Sequence, residues 1–146
     1  MQRTLDWVMQ NWNWDTTWGW DYGMTAMCAA RLGDGENAVK ALLIDKGKNT
    51  YLVSGHNYQE PKRLRLYLPG NGALLDAVAM MCAGWDGCPD VKNPGFPQDG
   101  KWNVKWEGLR KMKKTTYIKD KNVLYSLPFP YRKWQEKKGQ KKKKKY

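Results

Sequence analysis

The sequence predicts a mainly α fold: an antiparallel helix hairpin plus a third helix, followed by short β segments and a basic tail. Three observations carry this expectation. Apolar residues recur at helical spacing in three stretches of the first hundred residues. Glycine and proline punctuate the chain between those stretches. Charge divides it as well: residues 1–100 hold 9 Lys or Arg against 11 Asp or Glu, whereas residues 101–146 hold 17 against 3. The net charge of +12 over 146 residues therefore belongs to the second piece, and is not a whole-chain signal for nucleic acid.

The first twenty residues are dominated by Trp7, Trp12, Trp14, Trp18 and Trp20. One or two helical turns are expected over residues 4–10, then an ordered loop. The first clear helix runs from about Tyr22 to Leu32, with Met24, Met27, Cys28 and Leu32 near a 3.6-residue period and Asp21 as cap or first-turn acid. Gly33-Asp34-Gly35 ends it. The second helix, about Glu36 to Ile44, places Val39, Leu42 and Leu43 together, and the short link makes the pair antiparallel. Pro61 and Pro69 keep residues 45–69 from being one helix. The third helix is expected from Asn71, as its cap, to Ala83, with Gly84 as terminator.

Beyond Gly84 the glycines and prolines read as turns. Trp102, Val104 and Trp106 alternate with polar residues, which predicts a strand, and Tyr117–Ile118 and Val123–Tyr125 suggest two more. From Lys137 the chain is nearly all lysine, which predicts disorder. The expected divisions are thus a helical piece over 1–100, a short β-rich region over 101–136, and a Lys-rich tail over 137–146. Three helices bury little, and nine tryptophans exceed their needs. Helices from outside this chain, or from an upstream region, are expected to complete the core.

Several function classes find no support. Cys28, Cys82 and Cys88 make a poor disulfide framework, and no pair has metal-ligand spacing; they read as small apolar side chains. No phosphate loop or dinucleotide motif occurs, so no cofactor is expected. No apolar run of about 18 residues predicts a membrane span, and the start, Met1-Gln2-Arg3-Thr4, lacks the apolar core of a signal peptide. The lysine run has no helix-turn-helix or zinc-finger element beside it, so nucleic acid ranks last among the partners.

Clustered tryptophan beside amides and carboxylates is how proteins commonly hold a sugar. Flat rings stack on the apolar face of a pyranose while polar groups bond its hydroxyls. Trp12, Trp14, Trp18 and Trp20 are the candidate platforms, with His56, Asn57 and Asn71 as polar contacts. Each has a plainer reading: core packing for the tryptophans, structural hydrogen bonding for His56, capping for Asn71. Asp15 and Asp21 lie among indoles, where a carboxyl group would have a raised pKa suited to a general acid. Glu60, in the polar crossing, is the third candidate acid or base. The plainer readings are a turn for Asp15, a cap for Asp21 and an exposed side chain for Glu60.

Taken in order, Gly19-Trp20-Asp21, Ala29-Ala30-Arg31-Leu32-Gly33-Asp34-Gly35-Glu36-Asn37-Ala38, Asn49-Thr50, His56 and Pro69-Gly70-Asn71-Gly72 form a recognisable series. It resembles the last part of the (α/α)6-barrel catalytic domain of family 95 glycoside hydrolases, the α-L-fucosidase and α-L-galactosidase group, or of a related helical-barrel glycosidase. The resemblance covers about residues 12–84. It implies a parent that hydrolyses O-glycosidic bonds by paired acid and base, with inversion expected where the two groups stand roughly 6.5–9.5 Å apart. It matches His56 to a loop histidine and Gly70-Asn71 to the end of an Asp-Gly-Asn step. The aspartate of that step falls on Pro69, which has no acid–base chemistry, and the family's glutamate acid and its asparagines would lie before Met1. The resemblance therefore implies a fold fragment, inactive alone, with Asp21, Asp15 or Glu60 as substitute carboxylates. A non-catalytic carbohydrate-contacting or structural helical domain is the alternative, and nucleic-acid binding through the tail the second.

Overall fold

Four helices and a two-stranded ribbon are built by residues 1–112, the part of the chain that the computed structural model describes. Helix α1 (Gln2–Asn11) is longer than the one or two turns expected. It buries Leu5, packs Met9 against the core and leaves Trp7 exposed. Helix α2 (Gly19–Arg31) starts at Gly19, ahead of the Tyr22 start expected from periodicity. Asp21 is its third residue, not its cap. There the Asp21 carboxylate accepts the Trp18 N–H at 2.7 Å while the Asp21 N–H donates to the Trp18 carbonyl at 3.0 Å. A first-turn acid reaching back to the preceding amide offsets one of the donors a helix start leaves open. Helix α3 (Gly35–Leu42) is capped by Asp34, whose Oδ1 accepts the Asn37 N–H at 3.0 Å.

Helix α4 runs from Leu68 to Ala83 with Pro69 in its first turn, where the missing N–H costs nothing. Asn71 is therefore inside the helix and does not cap it. Gly84, at φ 86°, ends α4 and returns its N–H to the Met80 carbonyl at 2.8 Å.

Helix α2 is the centre of the fold and packs on both α3 and α4. The interface is made of small side chains: Ala26, Ala29, Ala30, Ala38, Ala41 and Ala77 are fully buried, with Met80, Met81 and Trp85 filling around them. Backbones can approach closely across such surfaces. At Gly23 a side chain would lie 2.4 Å from the Ala73 carbonyl oxygen, so α2 and α4 touch backbone to backbone there. Cys82 is buried in this region, which pushes its thiol pKa up.

The 45–69 crossing is irregular but pinned. A 3-10 turn (Gly47–Asn49) leads into β1 (Thr50–Tyr51), which pairs antiparallel with β2 (Asn57–Tyr58), Thr50 opposite Tyr58. Asn49 donates to the carbonyls of Leu42 and Ile44 at 2.9 and 3.0 Å and so closes the end of α3.

The strand expected at 101–106 does not form. Its alternating tryptophans are held by side-chain contacts to the preceding loop: Trp102 packs on Phe96 at 5.7 Å, and the Trp106 indole N–H donates to Asn93 at 2.8 Å. With no partner backbone alongside, alternation alone makes no ladder. An isolated parallel bridge between Trp85 and Met112 is the β pairing after residue 100 among the described residues. The strands expected at Tyr117–Ile118 and Val123–Tyr125, and the tail from Lys137, lie outside the described residues.

Candidate functional site

The polar residues of the crossing converge on the start of α2. Asn57 is fully buried and Gln59 nearly so. As residues i and i+2 of an extended segment, they share one face. Gln59 Oε1 accepts the Gly19 N–H at 2.9 Å, and its Nε2 donates to Asn57 Oδ1 and to the Lys48 carbonyl, each at 2.8 Å. Asn57 Nδ2 donates to the carbonyls of Lys48 and Thr50 at 3.3 and 3.2 Å. Asn71, one helical turn into α4, accepts the Asn57 N–H at 2.8 Å and donates to the Gly55 carbonyl at 2.7 Å. A side chain at Gly19 or Gly70 would collide with the Asn57 amide, at 2.0 and 2.2 Å. The Gly19 and Gly70 positions in the sequence are thus set by one buried amide between two helix starts.

On the outside of this network lies an aromatic surface. Trp18 is 40% exposed and packs on Tyr67 with ring centroids 5.6 Å apart. The Lys48 ammonium stands 5.6 Å from the Trp18 ring centroid, a cation–π distance. Glu60 is 3.8 Å from Lys48, and Arg63 binds both Glu60 oxygens, at 3.1 and 3.2 Å. Arg63 holds the Glu60 carboxyl below the usual range, with Lys48 adding to the effect. Partial burial, with the Asp21 charge beside it, pushes the Tyr67 phenol up. Trp18, Tyr67, Lys48, Glu60 and Arg63, with Asp21 beneath, therefore form one patch that combines a flat aromatic face with both charge signs.

The remaining expected residues fall elsewhere or are engaged. Trp14 is buried: its ring packs on Tyr22 at 5.2 Å and meets Trp12 edge-on at 5.5 Å, and its carbonyl accepts the Tyr22 hydroxyl at 2.8 Å. Trp12 is half-buried beside it, and Trp20 is 52% exposed on α2. Asp15 is exposed and pairs with Lys46 at 2.9 Å, which raises the Lys46 pKa. His56 is exposed, with its Nδ1 3.1 Å from Ser54 Oγ. Among the described residues there is no group of three or more His, Cys, Asp or Glu placed to hold a metal, and no helix long and apolar enough to cross a membrane.

Sequence reasoning passed over Gln59, Lys48, Arg63 and Tyr67. For Gln59 a signal was present: the alternation Asn57-Tyr58-Gln59 places both amides on one face of a strand. For the other three, the meeting depends on how the crossing folds back on Trp18, which no local pattern encodes. Comparison of the chain with protein families, with curated proteins and with solved structures gives no match.

Proposed function

We propose that this chain is the carbohydrate-contacting part of a glycoside hydrolase-like helical domain, and that it contacts sugar without hydrolysing it by itself. The observation that carries this reading is the exposed Trp18–Tyr67 pair framed by Lys48, Glu60 and Arg63. An aromatic face beside charged donors and acceptors suits a pyranose ring and its hydroxyls. The candidate carboxylates support the non-hydrolytic half. Asp21 is engaged by the Trp18 amide, Asp15 by Lys46, and Glu60 by Arg63, which favours its ionised form. A general acid must keep its proton near neutral pH, so an ionised Glu60 keeps only the base role and lacks an acid partner among these carboxylates, each already engaged. The exposed Leu68, Leu75 and Val78 of α4 leave apolar surface that further helices of a barrel would cover.

The test is a titration of the full chain with neutral and acidic monosaccharides and short oligosaccharides, followed by tryptophan fluorescence and indole N–H resonances. Shifts at Trp18 that vanish in Trp18→Ala are expected, together with no turnover of a panel of aryl glycosides. Steady hydrolysis that depends on Asp21, or an unperturbed Trp18 signal throughout, would overturn the reading.

A further inference from the structure

A cavity of about 220 Å³ lies among Lys92, Phe96, Gln98, Trp102, Asn103 and their neighbours. None of the residues of the Trp18 patch lines it. We propose that this cavity binds a single acidic sugar residue, a hexuronate, with the ring against Trp102 and the carboxylate at Lys92. This goes beyond the Trp18 patch and stands or falls separately from it.

The walls are fixed in place. Gly95 presses on Met81 so closely that a side chain there would sit 2.5 Å from the Met81 Cα, and its N–H donates to the Met81 carbonyl at 3.0 Å. Gly35, at the start of α3, abuts the Phe96–Pro97 backbone at 2.8 Å in the same sense. Asn93 holds a left-handed backbone, φ 52°, which asparagine tolerates better than most residues. Its buried amide ties the loop to the following segment, donating to the Val104 carbonyl at 3.2 Å and accepting the Trp106 indole N–H at 2.8 Å. Gln98 Nε2 donates to the carbonyls of Lys92, Asn93 and Phe96 at 3.3, 3.1 and 3.0 Å. A site braced this way loses little freedom when a ligand arrives.

Size, shape and unspent polarity then select the ligand. Sites for drug-sized molecules run to about 300–1,000 Å³, so this cavity suits one ring. Trp102 lines the cavity, is tilted 45° against Phe96 and remains 44% exposed, so indole surface is available to a ligand. The Asn103 amide and Gln98 Oε1 are exposed and have no hydrogen-bond partner among the described residues, so a ligand's hydroxyls can replace water at both. Lys92 has no carboxylate partner among the described residues, and no Asp or Glu lines the cavity. A solvent-facing cation at the rim of a ring-sized pocket with exposed amides fits a sugar carrying a carboxylate.

The experiment is a titration of the isotope-labelled full chain with glucuronate, glucose and benzoate, reading the indole N–H resonances of Trp102 and Trp106. Glucuronate is expected to shift both with a dissociation constant of about 1 mM, and glucose to bind about tenfold more weakly. Lys92→Gln is expected to remove the preference for glucuronate while leaving the weak glucose binding, and Trp102→Ala to weaken both sugars. The proposal is overturned by an absence of shift at Trp102 and Trp106, by equal binding of glucose and glucuronate, or by a preference that survives Lys92→Gln. Tighter binding of benzoate than glucuronate would also overturn it, in favour of an aromatic acid. Glucuronate shifts confined to Trp18 or Trp20 would dismiss this cavity while leaving the Trp18 patch as a sugar surface.

Discussion

Replacing Gly23 by alanine sets two effects of opposite sign against each other. Within a helix, Gly→Ala gains about 0.8–1.0 kcal/mol of propensity. At Gly23 the new methyl group would stand 2.4 Å from the Ala73 carbonyl oxygen and 2.5 Å from its carbon, where ordinary contact begins at 3.4 Å. Helices α2 and α4 must therefore part by about 1 Å at the crossing, a gap that forfeits a quarter to a half of the dispersion energy of each contact opened. The obstructing atoms are backbone and have no rotamer to escape into. Overpacking of this kind costs about 1–3 kcal/mol, and a backbone obstacle places Gly23 at the upper end, for a net loss of about 1–2 kcal/mol. Gly72 is the internal control. It lies in α4, and a methyl group added there would meet nothing within 4 Å, so Gly72→Ala should gain about 0.5–1 kcal/mol. Urea unfolding followed by tryptophan emission reads both. With a slope of about 1–3 kcal/mol per molar, Gly23→Ala should lower the midpoint by about 0.5–1 M and Gly72→Ala raise it by a few tenths. A Gly23→Ala midpoint at or above wild type would refute the close crossing, and a fall in Gly72→Ala would refute the propensity argument.

Two further outcomes are expected. Gln59→Leu removes the acceptor of the Gly19 N–H and the donor to Asn57 Oδ1 in a buried setting, so it should destabilise by about 2–4 kcal/mol, read as a lower urea midpoint; a loss within a few tenths of wild type would show the network to be dispensable. Glu60→Gln tests the Arg63 and Lys48 pairing through pH. The folded-state pKa of Glu60 is depressed, so its stabilising contribution is present above the ordinary value of 4.5 and is lost as pH falls below it through the folded value. The stability gap between wild type and Glu60→Gln should close on acidification and shrink with salt, and a gap independent of pH would refute the pairing.

Periodicity made the helical part of the fold legible because α2, α3 and α4 carry apolar residues at helical spacing, with glycine closing α4 and following α2. The helix starts were harder. Gly19 and Trp20 look like poor helix openers, yet Gln59 accepts the Gly19 amide and Asp21 accepts that of Trp18, so α2 reaches further back than local propensity suggests. Asn71 has the composition of a cap, but Pro69 is a better first-turn residue, and α4 starts ahead of both at Leu68. The alternation at Trp102, Val104 and Trp106 carries a real two-residue period, spent on Phe96 and Asn93 in place of a neighbouring strand. In the site, the sequence pointed to Trp18, Asn57 and Asn71, which the structure does bring together around the start of α2 and α4. It could not show that Asn57 is buried, because that depends on Gly19 and Gly70 leaving room for one amide between two helices.

The hydrogen bond from Gly19 to Gln59 spans 40 residues of chain. The start of helix α2 is thus completed by a segment far along the chain, beyond α3 and the turn of the crossing. Closing a loop of that size carries an entropic cost that local helix formation does not. The opening turn of α2 consequently lacks the partner of its Gly19 amide until the 45–69 crossing docks. Lengthening or shortening the crossing would therefore be felt first not in the loop itself but in the opening turn of α2, beneath the aromatic patch that Trp18 presents.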